Sequence, residues 1–312
     1  MVARWHSVAG LDGGLAGPAW SADGSSIAYA EQRSQAASPS THVYAGVWRV
    51  PADGSGTPEE VYTAGDPPRD GVGVLGWTRE GRVLVYRMPG FAADLSDGVT
   101  VLEIRSGAAA PIDFAPANPI MLIEAELRSG APRGDLVAIT HGGGRETWSS
   151  KRIAVVSTAS GTVTDVTDPA VAAIEPSWSP DSQRIAYVAA PNAGTDVSGG
   201  DAAKVAMAQR KIWVMDQLGA NKRQLTADPA YRDEFPQWSA DGSQILFARL
   251  DAQDRWSLWT TPSSGGAPRE VVADVSSNIL GSTAPVWFGY YGVVAWHDVL
   301  DWWRGASSST SS

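Results

Sequence analysis

Charged residues gather directly before segments that are predicted to be strands. They occur in Asp66-Pro-Pro-Arg-Asp70, at Glu175 and in Tyr231-Arg-Asp-Glu234. Carboxylates and guanidinium groups recognise ions, peptides or sugars through charge-assisted hydrogen bonds. We expect them to form a polar, net acidic funnel that binds a partner, although a merely solvated rim would have the same composition. The candidate binding residues from these segments are Arg69, Asp70, Glu175, Tyr231, Arg232, Asp233 and Glu234.

The four histidines show no local metal-binding spacing, because neither H-x-H nor H-x-x-x-H occurs. His141 opens the loop His-Gly-Gly-Gly-Arg145-Glu, so His141 and Arg145 join the candidates, although a polar loop histidine explains the pattern as well. A divalent cation beside such groups would suit a lyase that acidifies a carbon next to a carboxylate. No other cofactor is predicted, and the metal ligands stay unassigned.

Two enzyme signatures fail on inspection. GVGVLG at 71–76 has the form G-x-G-x-x-G, but Trp77, a turn and a further strand follow it where a dinucleotide site needs a helix. No G-x-S-x-G is present, and no segment supplies a hydrolase nucleophile with its acid and base. We therefore predict no catalytic residue, and binding is favoured over catalysis.

Composition narrows the function classes further. The net charge of −10 disfavours a nucleic-acid partner, since phosphate binding requires a face rich in Lys and Arg. There are no cysteines, which excludes disulfides and thiolate metal sites. No apolar run is long enough to span a membrane, and the N-terminal residues MVARWHSVAG lack the apolar core of a signal peptide.

The chain repeats one short motif. PAWSADGSSIAYA, PSWSPDSQRIAYV and PQWSADGSQILFA carry Trp20, Trp178 and Trp238, and looser copies surround Trp77 and Trp287. The copies recur about every 50–60 residues, with one interval of about twice that length, so a degenerate unit is expected near residues 120–130. There, Ile120–Leu127 is the expected first strand.

Each unit encodes four short strands and tight turns. A turn such as Ser179-Pro-Asp-Ser182 follows the Trp, and then comes a β-branched or aromatic run. Third and fourth strands complete one propeller blade, in which the Trp fills space between neighbouring sheets. The sequence therefore predicts an all-β, six-bladed propeller of four-stranded antiparallel blades in one domain, residues 1–304. The blades are expected near residues 17–66, 70–116, 118–168, 173–228, 233–275 and 283–304.

The last predicted blade lacks a fourth strand, while an isolated strand segment, residues 3–9, precedes the first repeat. Pairing of this N-terminal strand with the last blade would close the ring and remove an exposed edge. The alternative is an N-terminal tail that packs nowhere. Residues 305–312 are Ser-rich and are typical of a linker.

The repeats resemble the WSPDG-x-x-IAY motif of TolB-like (WD40-like) β-propeller repeats. KIWVMDQLGANKRQLT, which begins at Lys211, is similar to the same family's third strand and turn. The resemblance covers nearly the whole chain and implies the fold. It implies no catalytic residue, because such blades occur in periplasmic scaffolds, in propellers that cap peptidases and in polysaccharide lyases.

Long loops are predicted on only one face of the propeller. These loops are residues 31–44, 88–98, 141–150 and 191–209, and the last has helix-forming composition from Asp201 to Gln209. Loops on a rigid scaffold are where binding usually occurs. We therefore predict a monomeric scaffold that binds a protein, peptide or glycan at the loop-rich face and channel mouth. The alternatives are a polysaccharide lyase or glycosidase, and a capping propeller of a separate hydrolase domain. The resemblance suggests a periplasmic or extracellular location.

Overall fold

The fold was analysed in a computed structural model of the chain. It describes the following residues: 15–21, 23–35, 38–63, 70–77, 81–89, 95–96, 98–103, 108–113, 120–121, 128–132, 136–142, 150–157, 160, 162–193, 205–275 and 296. Within these ranges the regular structure is almost entirely β. The helical exceptions are one turn at residues 205–208 and the single residues Val275 and Trp296. No helix among them is long and apolar enough to cross a membrane.

Five four-stranded antiparallel sheets follow one another along the described chain, and in each the strands pair in sequence order. We call them blades 1 to 5. Blade 1 contains β1 (Leu15–Trp20), β2 (Ser26–Gln35), β3 (Ser38–Pro51) and β4 (Glu59–Thr63). Blade 2 contains β5 (Asp70–Trp77), β6 (Val83–Pro89), β8 (Gly98–Glu103) and β9 (Ala108–Asp113). The short strands β7 (Leu95–Ser96) and β10 (Ile120–Met121) pair with each other.

The other three blades have the same antiparallel order. Blade 3 contains β11 (Arg128–Gly130), β12 (Leu136–His141), β13 (Arg152–Ser157) and β14 (Val163–Asp165). Blade 4 contains β15 (Val171–Trp178), β16 (Arg184–Pro191), β17 (Lys211–Asp216) and β18 (Arg223–Gln224). Blade 5 contains β19 (Arg232–Trp238), β20 (Gln244–Leu250), β21 (Trp256–Pro262) and β22 (Arg269–Val272). The prediction of an all-β fold built from four-stranded antiparallel sheets is confirmed.

The repeated tryptophans join consecutive blades. Trp178 belongs to an apolar cluster that contains Val155 of blade 3, and Trp238 belongs to one that contains Val214 of blade 4. The indole of Trp238 also donates to the carbonyl oxygen of Ser177 on the preceding blade, at 2.9 Å. The predicted role of the Trp as a filler between sheets is confirmed, and the indole N–H adds a hydrogen bond that keeps a buried polar group satisfied.

In the three repeats that match the motif closely, the turn after the Trp is held by its own hydrogen bonds. In blade 5, Ser239 Oγ donates to Asp241 Oδ1 at 2.6 Å, and the same Oγ accepts from the N–H of Gln244 at 2.9 Å. Blades 1 and 4 repeat these bonds around Asp23 and Asp181. The hydrogen bonds from Ser239 and Ser243 lower the pKa of Asp241 to about 2. The repeat therefore encodes local turn structure.

One predicted segment is corrected. Residues 31–35 and 38–44 are not a loop, since they pair with each other as parts of β2 and β3. The described part of the first strand of blade 3 is Arg128–Gly130, where Gly130 pairs with Val137 as Trp178 pairs with Ile185 in blade 4, and residues 122–127 lie outside the described residues. Of the predicted last blade and N-terminal strand, only Trp296 is described, so the structure does not test six blades or ring closure.

Candidate functional site

The first strands of blades 4 and 5 carry a bulge at the same position. The register shifts between Ile174 and Ser177 in blade 4 and between Glu234 and Gln237 in blade 5. In both blades the two bulged residues are the third and the second residue before the Trp. At this bulge Glu175 has a φ of 55° and Phe235 has a φ of 56°. A left-handed conformation costs a non-glycine residue of order 1–3 kcal/mol, and such strain concentrates at functional sites.

The Glu175 carboxylate connects these two bulges. Glu175 is buried, and its Oε2 accepts a hydrogen bond from the backbone N–H of Phe235 at 2.7 Å. First strands of consecutive blades contact each other, which brings this carboxylate onto the next blade. Glu175 thus lies within the blade 4–blade 5 junction rather than on a solvated rim.

Asp233 forms the first ion pair of the junction. Its two carboxylate oxygens accept from Arg249 Nε at 2.7 Å and from Arg249 Nη2 at 3.0 Å, and both residues are buried. The Arg249 guanidinium lies 4.6 Å from the ring centre of Trp259 and 5.1 Å from that of Tyr231. Lys211 Nζ donates to the Tyr231 carbonyl, and burial lowers the pKa of Lys211. The bidentate pair is fixed on both sides by aromatic rings.

Glu234 forms the centre of a second ionic group. Its Oε1 accepts from Arg210 Nη1 at 2.9 Å and lies 3.7 Å from Arg232 Nε. Its Oε2 lies 3.2 Å from the indole Nε1 of Trp296. Arg232 Nη2 donates to Asp254 at 2.8 Å, and burial lowers the pKa of Arg232 although Glu234 and Asp254 oppose this. Both oxygens of the fully buried Glu234 therefore have partners.

The predicted acidic funnel is corrected in two respects. First, Glu175, Arg232, Asp233 and Glu234 are all buried. Second, the acidic side chains of the junction are paired with cations. Arg249 contacts Asp233, Arg210 and Arg232 contact Glu234, and Arg232 also contacts Asp254. Glu175 accepts from the backbone N–H of Phe235. Burial of a carboxylate is costly unless it is paired or hydrogen-bonded, which explains why each of these carboxylates has such a contact.

His141 lies in a different place from the other candidates. It ends β12 and is buried, and its Nε2 lies 2.5 Å from Asp165 on β14 of the same blade. Arg152 donates to the other oxygen of Asp165 at 2.5 Å. Burial lowers the pKa of His141, while Asp165 opposes the shift. The described contacts of His141 are thus within blade 3, and none joins the junction.

Three candidates remain, namely Arg69, Asp70 and Arg145. Asp70 begins β5, and its side chain is not described. Arg69 and Arg145 lie outside the described residues. In the described part of the chain, no group of three or more His, Asp or Glu residues is arranged to hold a metal ion.

Sequence reasoning missed four partners in the junction. Lys211 begins the third strand of blade 4 and Arg210 directly precedes it, and Arg249 is the penultimate residue of the second strand of blade 5. Asp254 belongs to the five-residue turn between β20 and β21. Arg249 could have been found from the sequence. It directly follows the apolar run ILFA, and the strand register places it opposite Asp233.

Blade 4 carries a groove of about 470 Å³ at the end opposite to the junction residues described above. Two arginines that line this groove contact blade 5. Arg184 donates to Gly242 O at 3.3 Å, and Arg223 donates to Ser263 O at 2.7 Å, both on blade 5. The Arg184 guanidinium also lies 4.6 Å from the ring centre of Trp238. This end, with its short turns, is therefore held together by the charges that line it.

Comparison with known proteins identifies the fold. No family model and no curated protein matches the sequence. A structure assigned as TolB from Agrobacterium tumefaciens matches 83% of this chain and 80% of its own, with a TM-score of 0.56 and 18% identity. Oligogalacturonate lyase from Vibrio parahaemolyticus matches 81% of this chain and 63% of its own, with a TM-score of 0.54 and 12% identity.

A third match is a β-propeller domain of a larger protease. The β-propeller domain of the trilobed protease from Pyrococcus furiosus, described as having an open velcro topology, matches 83% of this chain and 71% of its own, with a TM-score of 0.52 and 12% identity. The chain therefore has a β-propeller fold like that of TolB, which confirms at the level of the fold the resemblance seen in the repeats. The chain spans less than two-thirds of the lyase, and these identities establish no activity.

Proposed function

We propose that the protein is a binding scaffold that holds a protein, peptide or glycan at the loop-rich end of the blade 4–blade 5 junction. The observation that carries the proposal is a difference between two blades with the same fold. Arg232, Asp233 and Glu234 of blade 5 occupy the positions that Ala172, Ala173 and Ile174 occupy in blade 4.

This comparison separates the needs of the fold from the charges. Blade 4 pairs Ala173 with Ala189, and blade 5 pairs Asp233 with Arg249 at the same register. The fold therefore accepts small apolar residues at both positions. Buried ion pairs are often no more stabilising than apolar replacements, so stability alone gives little reason to keep them. Charges that the scaffold does not need are best explained by what the scaffold binds.

The same end of the junction offers exposed groups that a partner can contact. Asp228 precedes β19, and Gln253 lies in the β20–β21 turn beside Asp254. Tyr231, which packs on Arg249, is partly exposed. Aromatic and charged side chains on a rigid framework are typical of binding sites, because little conformational entropy is lost when they are covered.

The proposal includes a complete propeller. Residues 283–304 would form a sixth blade, and residues 3–9 would add its outer strand. The spacing of the repeats supports the blade number, and the cost of an open sheet edge supports closure. We further propose a monomer in the periplasm or outside the cell, in keeping with the TolB-like fold.

The function is tested by adding one positive charge at either end of the junction. The variant Gln253→Arg alters an exposed residue at the loop-rich end, and Leu218→Arg is the matched control at the short-turn end. Each protein is immobilised, exposed to an extract of its native cells, and the retained molecules are quantified by mass spectrometry.

We expect the first variant to lose at least about tenfold of the specifically retained partner, since an unpaired charge that the partner covers is costly to remove from water. The control should retain the wild-type amount. Equal loss in both variants, or loss only in the control, would contradict binding at the loop-rich end.

A further inference from the structure

Arg232 is buried, and carboxylates stabilise its charge. Its side chain is only 8% exposed, and its Nε is 3.7 Å from Glu234 Oε1. The same oxygen accepts from Arg210 Nη1 at 2.9 Å. Because two buried guanidinium groups contact this oxygen, a second anion beside Arg232 lowers the cost of burying its charge.

Asp254 supplies that anion from the surface. Its Oδ1 accepts from Arg232 Nη2 at 2.8 Å, and its side chain is 38% exposed. The other carboxylate of the group, Glu234, is fully buried. Of these two anions, Asp254 is thus the one that solvent, or a molecule arriving from solvent, can reach.

The turn that carries Asp254 does not depend on the Asp254 carboxylate. Asp251 Oδ1 accepts from the N–H of Gln253 at 2.8 Å and from that of Arg255 at 3.1 Å, and Asp251 Oδ2 accepts from Arg255 Nε. Asp254 has a left-handed φ of 59°, a conformation that aspartate tolerates as a single residue. Because Asp251 holds the turn, the Asp254 side chain can leave Arg232 without the turn being lost.

We propose that Arg232 is a carboxylate-binding residue, that Asp254 occupies its site in the ligand-free chain, and that a carboxylate of the ligand displaces Asp254. The ligand class is then a molecule with an accessible carboxylate, such as a peptide with a free C-terminus or an acidic side chain, or a uronate-bearing glycan. The inference rests on the proposed function, because it places the ligand at the same end of the junction. It adds the chemical group that is recognised.

Chemical rescue with acetate tests the proposal. Asp254→Ala removes the internal carboxylate, and Asp254→Asn removes the charge at nearly constant shape. Thermal unfolding is followed while sodium acetate replaces sodium chloride at constant ionic strength, and binding of ¹³C-labelled acetate is measured by NMR. A tethered carboxylate competes at an effective concentration of millimolar or more, so both variants should bind acetate about tenfold or more tightly than the wild type.

Two controls define the outcome. Asp165→Ala also removes a carboxylate that is 38% exposed, but its partner Arg152 is itself 30% exposed and should remain solvated. Its other partner, His141, has a pKa that burial lowers, so it carries no charge at neutral pH and acetate should have no saturable effect. Adding Arg232→Lys to Asp254→Asn should abolish the acetate response, since Lys lacks the planar fork of Arg. The proposal is overturned if neither Asp254 variant binds acetate more tightly than the wild type.

The two proposals fail separately. If acetate rescues the Asp254 variants but no partner is retained by any form of the protein, the carboxylate site stands and the proposed function fails. If the partner is retained but excess acetate neither releases it nor binds the variants, the proposed function stands and the carboxylate site fails.

Discussion

Removing one member of the Asp233–Arg249 pair should destabilise the protein far more than removing both. The single change Asp233→Ala leaves a guanidinium that is 4% exposed without its bidentate partner. Loss of one partner of a buried pair costs about 3–5 kcal/mol. The double variant Asp233→Ala/Arg249→Ala recreates the pairing of Ala173 with Ala189 in blade 4.

We expect the double variant to lose about 1–3 kcal/mol of the free energy of unfolding. The main cause is that alanine cannot replace the packing of the Arg249 side chain on Trp259. The coupling energy between the two positions should then be about 2 kcal/mol or more. The assay is urea unfolding of the wild type, both single variants and the double variant, with the free energy of unfolding compared in a double-mutant cycle.

Additive costs would refute the reasoning. If the double variant loses the sum of the two single losses, the two charges do not depend on each other. The junction would then be an ordinary part of the fold, and the comparison of blades 4 and 5 would carry no functional information.

Three further predictions concern the scaffold. Trp238→Ala should cost about 3–5 kcal/mol because the ring is fully buried, whereas Trp20→Ala should cost about 1 kcal/mol or less because Trp20 is 39% exposed; thermal unfolding of both variants tests this contrast. The pKa of Asp241 is about 2 in the folded protein against an ordinary 3.8, so its stabilising effect is present above pH 3.8 and is lost as the pH falls toward 2. Asp241→Asn should therefore flatten the pH dependence of the unfolding midpoint in that window, and an unchanged slope would contradict the assignment. Gly219→Ala should destabilise more than Gly242→Ala in urea unfolding, because both have positive φ but only at Gly219 would the new Cβ lie 2.6 Å from a backbone carbonyl oxygen.

The repeat could be predicted from the sequence because its structure is local. The turn after the Trp is stabilised by contacts within a few residues, as Ser239 and Asp241 demonstrate. Blade 3 lacks both signals at its first strand, since Gly130 stands at the position of the Trp. The first strand of this blade could therefore be predicted only from the spacing of the other repeats.

The extended hairpin of blade 1 was missed for a different reason. Residues 31–35 and 38–44 pair through backbone hydrogen bonds, and their side chains do not alternate between apolar and polar. Periodicity detects strands only where one face is buried. Strands that continue beyond the core leave no such pattern.

The charged residues of the first strand of blade 5 could be predicted from the sequence, but their partners could not. Tyr231–Glu234 stood out as a charged run, but its burial depends on Arg210, Arg249 and Asp254, which come from three other segments. The sequence indicates which residues are charged, whereas the strand register and the packing of two blades decide which charges meet. The predicted excess of acid followed from counting the segments before the first strands without their partners.

Site-specific photo-crosslinking tests the central claim, that partners bind at the loop-rich end of the blade 4–blade 5 junction, most directly. A photoreactive phenylalanine analogue is placed at Gln253 on the loop-rich end or at Leu218 on the short-turn end, both of which are exposed. The account predicts covalent capture of the partner from Gln253, competition by unlabelled protein, and no capture from Leu218. Capture from Leu218 with none from Gln253 would contradict it.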